Sequence, residues 1–497
     1  MKAVWPHLPI LQVIIPLFGA LLAGFLRRSG VAFALALAVS WIVAANAFAL
    51  MWQVLSGGPI SYHMGGWEPP VGIEYRVDIL NGFVLVLVSV VGAVTMPFAR
   101  RSVAFEIEDD RGAWFYCMYL LCLTGLLGIV ITGDAFNAFV FLEISSLSTY
   151  VMIALGPDRR ALLSSYQYLI MGTIGATFYL IGVGLIYMMT GTLNFSDMEF
   201  RIHAVADQRP ILAAAGFITV GLALKAAIFP LHVWLPNAYT YAPHMVTAFL
   251  AACATKVSLY ILLRFDFFVF QDNLAGHAFQ FAAYLMPLAI LGILVGSAVA
   301  MFEKNIKRLL AFSSIAQIGY MMLGASLVSV AGLTAGIVHI FNHALAKGTL
   351  FLAVALFATV AAGLRLDDLK GIARRMPWTF GAFVIAALSL IGIPGTAGFV
   401  SKWYLISAAM ELGTAGLPLV AVILVSSLMA VVYVWRIVEA ACFAEAADRP
   451  ISPAGVPPLL VATLWLAAAL NIYFGLFPDL PLTLSGDAAA ELLDHLP

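Results

Sequence analysis

Hydrophobic runs of about 20 residues recur along this chain, each long enough to cross the ~30 Å hydrocarbon core of a bilayer. They fall near 8–26, 32–55, 77–98, 113–132, 135–155, 163–190, 211–230, 245–264, 280–302, 307–328, 331–361, 377–410, 417–442 and 457–478. A spanning element must satisfy its own backbone hydrogen bonds, so these runs predict an all-α polytopic membrane protein of about 14 helices. Of 497 residues only 10% are charged and 63% are hydrophobic, with a mean hydropathy of +1.00. A soluble domain carries about 25% charged residues. The longest polar stretches, 56–76 and 191–210, read as loops. The first run reads as a retained helix rather than a signal peptide, because only Lys2 precedes it and no small-residue cleavage site is visible.

Basic residues divide unevenly between the two sets of loops. One side holds Arg27, Arg28, Arg100, Arg101, Arg111, Arg159, Arg160, Lys304, Lys307, Arg308, Arg365, Lys370, Arg374, Arg375 and Arg449, with Arg436 toward the same end of its helix. The other holds Lys2, Arg76, Arg201, Arg209 and Arg264. By the positive-inside bias both termini lie outside an inner (plasma) membrane. A net charge of −1 argues against a nucleic-acid partner. Cys117, Cys122, Cys253 and Cys442 form no CxxC pair, and no P-loop is present, so no cofactor or metal is expected and ATP is not hydrolysed here. The work must come from an ion gradient or from redox chemistry in another subunit.

Charges inside the apolar runs carry the functional signal. Lys225, Lys256, Lys347, Lys402 and Glu143 all fall within helix-length segments. Each costs at least ~2.5–3.5 kcal/mol at the bilayer centre, so such groups face a bundle interior or a hydrated path. Glu143 lies nine residues after Asp134, roughly 13 Å along a helix axis. Lys225 is followed by Pro230 and Pro236, which must interrupt its helix, and Lys402 follows a second interruption at Pro394 and Gly395. Paired discontinuous helices point to an internal repeat with a pathway around each break, where freed carbonyls and helix ends can hold ions and water. Between the breaks, His339, His343 and Lys347 recur at four-residue steps, each turning about 40°, and share one stripe. Histidine titrates near neutral pH through either ring nitrogen, and a desolvated lysine can exchange protons there. Making and breaking a carboxylate–lysine pair can gate that transfer.

Blander readings compete. An intramembrane lysine can snorkel or serve only as an ion-pair member, though snorkelling fails at mid-helix depth for Lys225, Lys256 and Lys402. Lys347 is more open to it. The two histidines have metal-ligand spacing but no third ligand nearby. His232 and His244 flank a loop and read as helix-end residues, and Asp134 reads as an N-cap.

The segments LEISSLSTYVMIAL, LKAAIFPLHVWLPNAY, CATKVSLYILLRF, KRLLAFSSIAQIGYMMLG, HIFNHALAKGTLFL and GIPGTAGFVSKWYLI follow one another along the chain. In this it resembles the antiporter-like proton-translocating subunits shared by respiratory complex I, membrane-bound hydrogenases and multisubunit Mrp-type sodium/proton antiporters. FPLHxWLPxA is a specific signature, and the resemblance covers nearly the whole chain. GGWEPPVGIEYRVDILNGFVLVLVSVVG and TGTLNFSDM are most similar to the Mrp D-subunit branch. The resemblance implies 14 core helices, with N-terminal helices 1–3 over 1–112, two inverted five-helix repeats over 113–264 and 280–442, and helix 14 with its tail over 457–497. Helices 7 and 12 are expected to be broken. It also implies a polar axis in which Glu143 partners Lys225, Lys256 relays toward His339, His343 and Lys347, and Lys402 ends the path. The expected partners are other membrane subunits, protons and Na+. The expected role is a transporter subunit of a cation/proton antiporter rather than an enzyme. The alternative is a proton-pumping subunit of a complex I-type NADH-quinone oxidoreductase or a hydrogenase.

Overall fold

In a computed structural model, which describes all residues except 1–4, 27, 207, 271–274, 445–455 and 495–497, the chain is nearly all helical. Lys2, Arg27 and Arg449, counted in the charge asymmetry, lie outside the described residues. The first helices are α1 (Leu8–Phe25), α2 (Ser29–Gly57), α3 (Ile79–Glu106), α4 (Gly112–Ile131), α5 (Ala135–Ala154) and α6 (Arg160–Thr190). Then come α7 (Phe195–Ile202), α8 (Arg209–Ala226), α9 (Trp234–Tyr241), α10 (His244–Arg264), α11 (Ala275–Phe302), α12 (Ile306–Ser326) and α13 (Val330–Phe357). The chain continues through α14 (Ile372–Arg375), α15 (Pro377–Ile391), α16 (Ala397–Met410), α17 (Leu417–Cys442), α18 (Pro458–Leu476) and α19 (Asp479–Leu493). Among the described residues 13 helices are long and apolar enough to cross a membrane. The expected twelfth span is the exception, because it is split into α15 and α16, as its proline and glycine require.

Two compact units divide the chain. One comprises Met1–Ala226, Cys253–Phe281 and Asp487–Pro497, and the other Ala227–Ala252 and Ala282–Gly486. In the first, α6 and α8 approach closely because both present glycine. A Cβ on Gly221 would stand 2.5 Å from the Gly175 carbonyl oxygen. Close backbone approach through small residues is how helices gain packing where lipid offers no hydrophobic drive. Asp134 caps α5 by accepting from the Asn137 amide at 2.6 Å, as its position after a turn predicts.

In the second unit, α13 is buried along most of its length and packs on α12, α15, α16 and α18. Gly324 of α12 meets Gly332 and Gly336 of α13 backbone to backbone. Asn305 caps α12 by accepting from the amides of Lys307 and Arg308. On α17 the two faces differ: Ile423, Ser426, Ala430, Tyr433 and Ile437 are buried, while Leu424, Leu428, Val432 and Trp435 are exposed. An apolar exposed stripe of this kind suits contact with lipid or with another membrane-spanning element.

Polar stretches that read as loops contain more structure than that. The 56–76 segment holds an antiparallel hairpin, β1 (Ile60–His63) on β2 (Glu74–Val77), in the register Ile60↔Val77. The 191–210 segment holds α7, whose Phe195, Met198 and Ile202 are buried at helical spacing. The tail after 478 forms α19.

Two basic residues taken for loop residues are corrected by the structure. Lys307 lies inside α12 and Arg264 ends α10, and both are buried. Both stand at the ends of the expected runs 245–264 and 307–328, where a charge reads as solvated until its partner is seen.

Candidate functional site

The first cluster forms where α8 ends. Lys225 is the penultimate residue of α8, one position before Ala226, and the chain leaves helical form until Trp234. Its Nζ donates to Ser146 Oγ at 2.5 Å and lies 3.8 Å from Glu143 Oε1. The Lys225 side chain is only 3% exposed, and Glu143 and Ser146 are both presented by α5. An ammonium with its carboxylate at this depth avoids the cost of an isolated charge without being locked in a tight bidentate pair. Gly172 of α6 leaves the space this requires. A Cβ there would stand 1.9 Å from the Tyr150 hydroxyl and 3.5 Å from Lys225 Nζ. Lys256, in the same unit, is fully buried on α10 one helical turn after Cys253.

The same unit holds an ion pair that the sequence reading missed. Arg264 donates to Asp78 at 2.9 Å, with the two side chains 6% and 1% exposed. Asp78 also caps α3, accepting from the Asn81 amide at 3.1 Å. Burial alone would raise its pKa, but the Arg264 charge and hydrogen bond, with the Asn81 amide, hold it below the ordinary carboxylate range. The signal was an aspartate directly before an apolar run and an arginine closing another.

A longer polar column occupies the second unit. On α13 the rings of His339 and His343 lie parallel, with centroids 6.1 Å apart and an interplanar angle of 4°. His339 bonds through Nε2 to Gln317 at 2.9 Å and through Nδ1 to Ser401 at 2.8 Å. Two turns further along α13, Lys347 Nζ donates to the Leu310 carbonyl at 2.6 Å and also to Ser313 Oγ. Lys347 is fully buried, so it does not snorkel. Lys402, on α16, donates to the Ile391 carbonyl at 2.8 Å, the Leu390 carbonyl at 3.3 Å and Ser427 at 3.0 Å. Those carbonyls are freed because α15 stops at Gly392, where φ is +90°. A Cβ on Gly392 would come 2.9 Å from Lys402 Cδ, so both the conformation and the space require glycine. Tyr320 sits between two members of this cluster, with its ring 5.6 Å from that of His339 and 4.9 Å from Lys402 Nζ.

Every sequence-predicted site residue is thus placed: Glu143 meets Lys225 in the first unit, and His339, His343, Lys347 and Lys402 line the second. Pro230, Pro236, Pro394 and Gly395 lie in or beside the two interruptions, Pro236 within the short α9. Ser146, Tyr150, Gln317, Tyr320 and Ser401 were not singled out. Their spacing on α12 (Ser313, Gln317, Tyr320) was a visible helical stripe, but uncharged polar residues in apolar runs are too common to stand out.

Helices broken at lysines, with charged and imidazole groups buried among spans, define an ion-translocating type of membrane protein. Residues 132–430 match the family described as NADH:quinone oxidoreductase/Mrp antiporter, TM, and the chain belongs to that family. It is 43% identical, over 90% of both chains, to the N subunit of the NADH-quinone oxidoreductase of Desulforudis audaxviator (strain MP104C). It is 31% identical to the D subunit of the Na(+)/H(+) antiporter of Alkalihalophilus pseudofirmus (strain ATCC BAA-2126 / JCM 17055 / OF4), over 72% of this chain and 71% of the other. A chain of the Mrp complex from Dietzia sp. DQ12-45-1b has the same fold, with a TM-score of 0.89 at 27% identity, covering 99% of this chain and 98% of that one. The protein is therefore a multi-pass membrane subunit of the antiporter type.

Proposed function

We propose that this chain is the proton-translocating subunit of a multisubunit Mrp-type antiporter that exchanges Na+ for protons. In this reading Glu143, Lys225, Lys256, His339, His343, Lys347 and Lys402 hold protons in turn. The observation that carries it is the repetition of one device, a buried lysine at a helix break. Lys225 has a carboxylate 3.8 Å away, and Lys402 is held by the carbonyls that its break releases. Lys402 keeps its carbonyl contacts in either protonation state, and the Lys225–Glu143 pair carries no net charge whether its proton sits on the amine or on the carboxylate.

Residues 113–264 and 280–442 act as the two inverted repeats, flanked by 1–112 and 457–497. The side rich in arginine and lysine faces the cytoplasm of a plasma membrane, by the positive-inside bias. The subunit is a transporter component and carries no enzymatic step of its own. A second reading is favoured by the identity to an oxidoreductase N subunit, namely a proton-pumping subunit of a redox-driven quinone reductase or hydrogenase.

One experiment separates the two. In everted vesicles containing the chain with its co-encoded subunits, a Na+ pulse should move protons in the absence of NADH or any other reductant. Proton movement only during substrate oxidation would replace the antiporter reading with the redox-driven one.

A further inference from the structure

We infer that His244 and Lys307 form a proton-loading pair at the basic-loop end of the second unit, feeding the column at Lys347; this rests on the proton-path reading above. Lys307 follows Asn305 in a segment that also contains Lys304 and Arg308, where a solvated lysine would be ordinary. Instead it is 1% exposed. Its Nζ donates to the Ala242 carbonyl at 2.6 Å and lies 3.4 Å from His244 Nδ1. His244 is the first residue of α10 and only half-buried, so this imidazole stands between the surface and an inward-turned amine. The neighbouring cation has a different task. Arg308 binds Glu303 at 2.9 Å and Asn237 at 2.7 Å, tying α12 to its preceding loop and to α9. Tethering of this end is thus already supplied, and Lys307 is not needed for it.

Helix geometry connects the pair to the column. On α12, Lys307, Leu310, Ser314 and Gln317 follow one another at three- and four-residue steps and share one stripe. The Leu310 level lies only ~4.5 Å of helix rise from Lys307, and the Leu310 carbonyl is where Lys347 Nζ donates. Gln317, about 15 Å of rise from Lys307, is where His339 bonds. α12 therefore carries a titratable amine at the basic end and contacts Lys347 and then His339 of the α13 column at successive levels.

The step balances simply. A proton from the aqueous phase binds Nε2 of neutral His244, and the proton on Nδ1 passes to the lone pair of neutral Lys307. His244 is left neutral in its other tautomer. The Lys307 ammonium then releases the proton toward Lys347 and returns to the amine.

The test uses the assembled complex in membrane vesicles, comparing rates of proton movement for His244→Ala, Lys307→Arg and Lys225→Ala. Lys307→Arg keeps a cation and a donor for the Ala242 carbonyl but cannot release its proton. The expected result is a loss on the order of 10²-fold for both entry variants, the scale of a missing acid–base group. Added imidazole should restore His244→Ala but not Lys225→Ala. Wild-type rates in Lys307→Arg would make Lys307 a structural donor and overturn the pair. So would a His244→Ala variant that is fully active, or that is slow and unmoved by imidazole. If Lys225→Ala is also fully active, the proton-path reading fails; if it alone is inactive, only the entry assignment fails.

Discussion

Lys402 and Lys225 are both buried amines at helix breaks, but they are held differently. Lys225 has Glu143 at 3.8 Å, whereas Lys402 rests on two main-chain carbonyls, Ser427 and the face of Tyr320. Carbonyls accept from an amine as well as from an ammonium, so Lys402 keeps its contacts when its proton leaves. Lys402→Met preserves length and removes the proton site, and proton movement should fall on the order of 10²-fold. Lys402→Glu keeps a titratable group with reversed charge, and partial activity with a shifted pH optimum is expected. Proton-movement assays on both variants across a pH series check this, and wild-type activity in Lys402→Met would make the residue structural. Arg264 offers a contrasting case, since its role is to hold the fold. Arg264→Met strands the Asp78 carboxylate, and thermal unfolding should show a loss of ~3–5 kcal/mol. Adding Asp78→Asn, which retains an N-cap, should recover most of it, because the buried charge goes with its partner.

Helix contacts set where these side chains can stand. On α8, Gly221 and Gly216 are five residues apart, yet a Cβ on Gly221 would strike the Gly175 carbonyl and the Tyr179 backbone, while one on Gly216 meets nothing within 4 Å. Gly221→Ala must force α8 away from α6, which bears on Lys225 one turn further along. A stability loss of ~1–3 kcal/mol with slowed transport is expected. Gly216→Ala should leave both unchanged, and paired melting and transport measurements test the contrast. At this scale the sequence was most informative. Run lengths located the spans, and Pro230 and Pro394–Gly395 located both breaks, because proline removes a donor wherever it stands. The intramembrane lysines stood out because a charge in an apolar run has few explanations. Partners were less visible. That Gln317 and Ser401 flank His339 depends on how α12 and α16 pack on α13, which no local pattern encodes. Lys307 and Arg264 misled for the opposite reason, since charges at run ends look solvated until their partners are seen.

Among the described residues, many of the spans keep exposed apolar side chains. The exposed stripe of Leu424, Leu428, Val432 and Trp435 on α17 suits lipid or the flank of another membrane subunit. A proton path alone yields uniport, and coupling requires a partner that drives or gates it. The purified chain in proteoliposomes is therefore expected to show no Na+- or K+-dependent proton exchange, with activity returning when its co-encoded membrane subunits are added. Robust exchange by the isolated chain would instead make it a complete antiporter.

The most direct measurement is on the Glu143–Lys225 pair, where a carboxylate and an amine face each other beside a broken helix. Glu143→Ala and Lys225→Ala, each expressed with the partner subunits and checked for membrane insertion and assembly, are compared with wild type by dissipation of a pH gradient in vesicles. Both should assemble at normal levels and lose proton-coupled transport. Full transport in both assembled variants would contradict a proton path through this pair.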